Sequence, residues 1–160
     1  MNASATVNNG AAEPLTATER PMGDSTRLLV CHKQATSARL RFLRLPWGAT
    51  LFSPLPEGAH PGDAPDAPSR VHPAACVRAA ARWLDLPTAS LCAVPGFHRR
   101  IRLPDGHAAE VVLLRVTEVD PPFAAAARRE ARFVDLLEVR DLPPTELGLL
   151  REAYVHLLGG

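Results

Sequence analysis

Apolar and polar residues alternate early in the chain, and this pattern predicts a pair of β-strands. Residues 27–32 form a short run of strand character, and within residues 39–45 Leu40 and Phe42 alternate with Arg39 and Arg41. A two-residue period is typical of a strand with one buried face. Residues 33–38 are long enough to close a hairpin between the two strands. A further brief strand is predicted at residues 49–52.

A proline-rich segment separates these strands from a predicted helix. Residues 53–73 contain six prolines, a density that excludes a helix or a central strand and indicates a long irregular loop. Pro73 suits the first turn of a helix, and an alanine-rich segment follows it to residue 84. One buried helical face is predicted there, and residues 85–87 end the helix. The face consists of Val77, Ala80, Ala81 and Leu84.

The second half of the chain predicts further strands and a terminal helix. Residues 97–103 and 110–116 are predicted to pair through a turn at residues 104–107, and the apolar run 111–114 indicates a central strand. We expect at least one helical turn at residues 124–129, a strand at 131–137 and a helix at 145–158. That last helix has an apolar stripe of Leu147, Leu150, Tyr154 and Leu157. The interleaved elements predict an α+β domain with a mixed sheet.

Length and composition are those of an ordinary globular domain. The chain has 160 residues, of which 46% are hydrophobic and 22% charged, which excludes disorder throughout. Residues 1–26 are polar without periodicity, so we expect a disordered leader followed by a single domain at 27–160. No secretion signal or membrane-length apolar run is visible, which favours a cytoplasmic protein without a membrane partner. A net charge of +1 does not favour nucleic acid as a partner, although it leaves one open.

The residues that usually bind metals or act as nucleophiles show no recognisable spacing. The three cysteines lack a CxxC pair, so we expect free thiols rather than a disulfide framework or a zinc site. Cys76 and Cys92 are predicted to lie in the core rather than to act as nucleophiles. The six histidines are scattered, which leaves open only a metal site assembled by the fold. The GxSxG, GxGxxG and P-loop patterns are not found.

Residues 78–86, together with the order of the predicted elements, resemble the Nudix family. Its motif has the form G-x5-E-x7-R-E-U-x-E-E-x-G-U, in which U is an aliphatic residue. Arg78 matches the arginine, Ala80 is an apolar substitute for the first aliphatic residue, and Leu86 matches the last one. Residues 56–63 faintly resemble the preceding loop but are out of register. The resemblance spans roughly residues 27–158 and implies a Nudix-like α/β/α sandwich with a mixed sheet.

The departures from this motif concern its metal ligands. In the family, the helix glutamates hold divalent cations that bridge a pyrophosphate and activate water. Their positions are occupied here by Ala79, Arg82 and Trp83. The resemblance therefore implies the fold without the usual hydrolysis and without a cofactor. We expect a non-catalytic module that binds a nucleotide or other phosphorylated small molecule, or that serves as a protein-assembly subunit whose leader orders on a partner.

An active enzyme is the alternative that the sequence leaves open. It would be a Nudix-type hydrolase of a nucleoside diphosphate-linked substrate, dependent on Mg²⁺, with its metal ligands relocated. Asp63 and Glu130 are the favoured catalytic carboxylates, and Asp66 and Glu110 are further candidates. The competing interpretation makes Asp63 and Asp66 solvated loop charges and pairs Glu130 with a neighbouring arginine, either Arg128 or Arg132.

Basic residues supply the candidate ligand-binding groups. His98, Arg100 and Arg102 alternate, so in a strand they share one face, whereas Arg99 shares the opposite face with Phe97, Ile101 and Leu103. Together with Arg78 and Arg82 of the helix, the three residues of the first face are predicted to bind a phosphate. Arg39 and Arg41 extend this basic surface only if their strand lies beside it. An arginine-bearing strand face is also typical of plain solvated surface. Trp47 is predicted to line a cleft or to anchor its loop, and Trp83 to pack as core.

Overall fold

The computed structural model describes residues 25–63 and 71–159. The predicted leader, apart from its last two residues, and Asp66 lie outside the described residues. Within them the strands are β1 (Thr26–Lys33), β2 (Leu40–Arg44), β3 (His60–Pro61), β4 (Leu91–Ala93), β5 (Arg99–Arg102), β6 (Ala108–Val116) and β7 (Arg132–Val134). The helices are α1 (Pro73–Leu84), α2 (Phe123–Arg128) and α3 (Pro144–Leu158). Short 3₁₀ turns occupy Thr88–Ser90 and Leu136–Val139.

The strands form one mixed sheet in the order β3-β5-β6-β1-β2-β7, and β4 pairs with the C-terminal part of β6. The β1–β6 pairing is parallel, with Leu29 opposite Leu113, and the other strand pairings are antiparallel. The two predicted hairpins, β1–β2 and β5–β6, are thereby confirmed. The α+β class with a mixed sheet is also confirmed.

Hydrophobic cores cover both faces of this sheet. Along β1, Leu28 and Val30 pack with α1 and α2, whereas Leu29 and Cys31 pack with α3. This alternation follows from the two-residue period of a strand. The result is three layers, with α1 and α2 on one face of the sheet and α3 on the other. We call these the α1 face and the α3 face.

Helix α1 begins and ends where its sequence predicts. Pro73 occupies its first turn, and Asp85 follows its last residue in the left-handed conformation, with φ of 55°. The buried residues are Cys76, Ala80, Ala81 and Leu84. The predicted face was therefore correct except that Cys76 is buried where Val77 is only partly buried.

Two predicted elements near the C-terminus were placed wrongly. The strand predicted at 131–137 ends at Val134, because Asp135 and Glu138 form a capping box that starts a 3₁₀ turn. In α3 the buried residues are Glu146, Leu149, Leu150 and Ala153. Of the predicted stripe only Leu150 is buried, and Tyr154 is 41% exposed. Apolar residues lie all around α3, so the sequence pattern alone does not select its buried face.

The proline-rich loop contributes more to the sheet than predicted. Its residues His60 and Pro61 form the edge strand β3 against β5, a position that proline tolerates because an edge N–H can be missing. The strand predicted at 49–52 is reduced to a single bridge between Leu29 and Leu51. In the described part of the chain, no helix is long and apolar enough to cross a membrane.

Candidate functional site

A half-buried charged cluster lies on the α1 face of β5 and β6. His98 Nε2 is 3.7 Å from Glu110 Oε2, and Arg100 Nη2 is 3.8 Å from Glu110 Oε1. Arg100 lies directly opposite Glu110 in the β5–β6 hairpin, which places the two side chains on the same side of the sheet. Ile101 points the other way into the α3-side core. We call His98, Arg100 and Glu110 the Glu110 cluster.

Two further residues, Arg102 and Cys76, lie on the same side of the sheet as this cluster. Arg102 follows Arg100 on the same face and donates a hydrogen bond of 2.9 Å from Nη1 to the main-chain oxygen of Gly106. Cys76, in α1, is fully buried, and burial, followed by the negative charge of Glu110, raises its thiol pKa to about 11. Cys76 is thus near enough to Glu110 for the charge of this carboxylate to affect the thiol.

The cluster combines two basic groups with one carboxylate. Both ion-pair distances exceed the ~3.2 Å upper range of an N–H···O hydrogen bond, so both contacts are loose. Among the described residues, His98 Nε2 is buried and has no hydrogen-bond partner. With Arg100 and Arg102 on the same strand face, the arrangement suits an anion that accepts hydrogen bonds from these nitrogens.

The structure separates the predicted ligand-binding residues into two groups. His98, Arg100 and Arg102 lie together on β5 and the residue before it. Arg78 and Arg82 are exposed and lie one turn apart on α1, on the side opposite its buried residues. Arg78 and Arg82 therefore point to solvent, whereas His98, Arg100 and Arg102 lie on the sheet.

Arg39 and Arg41 do not extend the basic surface of β5. They belong to β2 or adjoin it, and the sheet order places both β6 and β1 between β2 and β5. Arg39 donates two hydrogen bonds to the carboxylate of Asp135, from Nε at 3.2 Å and from Nη2 at 2.8 Å. The guanidinium of Arg41 lies over the ring of Phe123, 5.8 Å from its centroid.

Trp83, at a motif position that holds a glutamate in the Nudix family, lies in an aromatic cluster. Its ring meets Phe52 edge to face with centroids 5.1 Å apart, and Trp47 at 6.1 Å. Trp47 also donates its indole N–H to the main-chain oxygen of Leu51 at 3.2 Å, which anchors its loop. Both tryptophans pack against the α1-side core. Trp83 is thus part of an apolar contact surface.

The predicted catalytic carboxylates Asp63 and Glu130 lie at opposite edges of the sheet. Asp63 follows β3, the first strand in the order, and Glu130 precedes β7, the last one. Five strand spacings of about 4.8 Å separate these edges by roughly 24 Å. One metal ion cannot be shared across that distance. In residues 25–63 and 71–159, no group of three His, Cys, Asp or Glu side chains is placed to hold a metal ion.

The pairing of Glu110 with the basic face was missed by the sequence analysis, although a signal for it exists. A turn at residues 104–107 places Arg102 opposite Ala108 and hence Arg100 opposite Glu110. Counting back from the turn therefore predicts this pair. A buried carboxylate in α3, Glu146, was also missed, because a glutamate in the first turn of a helix gives no sign of facing inward.

Comparisons with known proteins add no family assignment. No protein-family model matches the chain, and no curated protein is significantly similar to it in sequence.

Proposed function

We propose that this chain is a non-catalytic, Nudix-like domain that binds a phosphate-bearing small molecule, such as a nucleotide, at the Glu110 cluster. The observation that carries the proposal is His98 Nε2, which is buried beside Glu110 without a hydrogen-bond partner among the described residues. A phosphate oxygen would accept its hydrogen bond and those of Arg100 and Arg102.

The Nudix-like part of the proposal is supported by the end of α1. Residue 85 is at the position of the motif's last glycine, and Asp85 adopts there the left-handed φ of 55° that glycine favours after a helix. Helix α1 itself contains no carboxylate. With Trp83 packed among aromatic rings, this composition supports binding rather than metal-assisted hydrolysis.

Thermal-shift and calorimetric titrations of the full chain with ADP-ribose and ADP test the proposal, each with and without Mg²⁺. Ligand at 100 times its Kd adds about 2.7 kcal/mol to the free energy of unfolding. We expect saturable binding that does not require Mg²⁺ and that Arg100→Ala weakens. Arg41→Ala is the matched control, because it removes an arginine of β2, a strand that β6 and β1 separate from β5. Arg78→Ala measures whether the solvent face of α1 contributes.

Other outcomes would direct the function elsewhere. Mg²⁺-dependent turnover that is lost in Asp63→Asn or Glu130→Gln would establish the hydrolase instead. Equal binding by the parent chain and Arg100→Ala would exclude the Glu110 cluster as the site. If neither ligand changes the melting temperature or releases heat, protein assembly becomes the favoured function, and the next experiment is a search for a protein partner.

We further propose that the domain works in the cytoplasm. Cys31, Cys76 and Cys92 are free thiols in the structure, which a reducing compartment preserves.

A further inference from the structure

A cavity lies at the N-terminus of α3, away from the Glu110 cluster. Its volume is about 310 Å³, within the range of small-ligand sites. Its apolar walls are Trp47, Pro54, Leu55, Leu142 and Pro143. Strands β6 and β1 separate β2, which borders this cavity, from β5. The cavity and the Glu110 cluster therefore lie in different parts of the structure.

Two of the three charged side chains at this cavity neutralise each other. Arg44 donates from Nη1 and Nη2 to the two carboxylate oxygens of Asp141, at 3.1 and 2.5 Å. Its Nε donates to the main-chain oxygen of Gly48 at 2.8 Å. All three guanidinium nitrogens of Arg44 thus donate hydrogen bonds to acceptors within the protein.

The third charged side chain, Glu146, is only 2% exposed. Its Oε1 accepts a hydrogen bond from the N–H of Leu51 at 3.4 Å, and the backbone of Thr50 also lies within hydrogen-bond reach. No cationic side chain in the described part of the chain forms an ion pair with it within 4.0 Å. An ionised carboxylate buried without a counter-ion is costly. With Glu146 ionised, the three charges at the cavity sum to minus one.

We propose that this cavity binds a small organic ammonium ion, with its positive charge on the Glu146 carboxylate and its alkyl part against Trp47 and Leu142. An aromatic wall beside a carboxylate is the combination that recognises such cations, through ion pairing and cation–π attraction. The apolar walls disfavour a fully hydrated metal ion, which keeps its water ligands. This binding requires neither the Nudix-like assignment nor a ligand at the Glu110 cluster.

Ammonium binding is coupled to ionisation of Glu146. Burial raises the pKa of this carboxyl. The backbone hydrogen bonds of Leu51 and Thr50 and the charge of Arg44 oppose the rise, and Asp141 adds to it. The cation binds the ionised form, so affinity increases as the pH rises through the pKa of Glu146, and binding releases a proton below that pH. Arg44 and Asp141 face the same carboxyl but remain charged through this range.

The test is a titration of the full chain with tetramethylammonium and with butylammonium chloride, followed by NMR and calorimetry, against sodium chloride at equal ionic strength. We expect saturable shifts at Trp47 and a Kd that falls with rising pH. Glu146→Gln removes the charge but keeps an oxygen for the Leu51 N–H, and we expect it to weaken binding roughly thirtyfold or more. Glu152→Gln, an exposed carboxylate of the same helix, should bind as the parent does.

A second variant keeps the test decisive if Glu146→Gln does not fold. Leu55→Trp fills the cavity without touching the carboxylate, and we expect it to abolish binding while circular dichroism shows a native fold. Equal affinity in the parent and in either folded variant would overturn the proposal. So would a response to alkylammonium ions no larger than the response to sodium. Loss of ADP-ribose binding in Arg100→Ala leaves this result unaffected, so the proposals for the two sites are tested separately.

Discussion

The guanidinium of Arg129 lies over the indole ring of Trp83, 5.5 Å from the ring centroid, and its Nε donates a 2.6 Å hydrogen bond to the main-chain oxygen of the same residue. One side chain therefore satisfies a carbonyl in the last turn of α1 and covers an aromatic ring there. Arg129 immediately follows α2. The contact thus ties together the ends of the two helices on the α1 face.

Replacing Arg129 by alanine should lower the free energy of unfolding by about 1 kcal/mol, because both the hydrogen bond and the cation–π contact are lost. Urea unfolding followed by tryptophan fluorescence measures this change. Arg128→Ala, at the preceding exposed position, is the control and should stay within about 0.5 kcal/mol of the parent. Equal effects of the two substitutions would show that the Trp83 contact adds no stability.

Glu146 should make the stability of the protein fall as the pH rises. Its folded-state pKa lies above the usual value of a glutamate because the carboxyl is buried. Between the unfolded and folded pKa values the native state binds more protons than the unfolded state, so the free energy of unfolding decreases with increasing pH there. Glu146→Gln removes this slope. Denaturant titrations from pH 4 to pH 8 measure it, and parallel curves for parent and variant would contradict the prediction.

Asp135 should act in the opposite direction. The hydrogen bonds from Arg39 lower its folded-state pKa below the usual value of an aspartate. Its contribution to stability is therefore present above the unfolded-state pKa of about 4 and is lost as the pH falls through the folded-state pKa. Arg39→Met should reduce stability at pH 6 and leave it unchanged near pH 2, as measured by thermal unfolding. Arg151→Met serves as a control, and a loss in Arg39→Met that persists at pH 2 would show that the arginine stabilises by packing.

Thiol reactivity should distinguish the three cysteines. Burial raises the thiol pKa of Cys31 to about 12 and that of Cys76 to about 11, and both side chains are fully buried. Since the thiolate is the reactive form, the native protein at pH 8 should react with a thiol reagent at Cys92 alone. Cys92→Ala should remove the native-state reaction. In denaturant, all three cysteines of the parent protein should react. Native labelling that persists in Cys92→Ala would point to opening of the core.

The elements that the sequence predicted correctly are those with strong local signals. Pro73 and the alanine run predicted the start of α1, residues 85–87 predicted its end, and the turn at residues 104–107 predicted the β5–β6 hairpin. Such signals suffice because propensity and turn chemistry act between residues close in the chain. The same hairpin register already implies the pair of Arg100 and Glu110, so part of the candidate site was present in the sequence pattern.

The failed predictions concern the buried face of α3 and the end of one strand. The stripe predicted on α3 was wrong because the helix is apolar on more than one side, and packing against Leu29 and Val111 selects the side with Glu146 and Leu149. A predicted strand stopped at Val134 because the capping box of Asp135 and Glu138 competes locally with extended backbone.

The sequence by itself therefore determined the α+β class, two hairpins, the limits of α1 and the shared face of His98, Arg100 and Arg102. The tertiary structure decided that β1 pairs in parallel with β6, that Arg78 and Arg82 lie on the exposed side of α1, and that Asp63 and Glu130 lie at opposite edges of the sheet. It also buried Glu146 in the wall of a cavity. Each of these depends on contacts between residues distant in the chain, and no local pattern encodes which distant surfaces will meet.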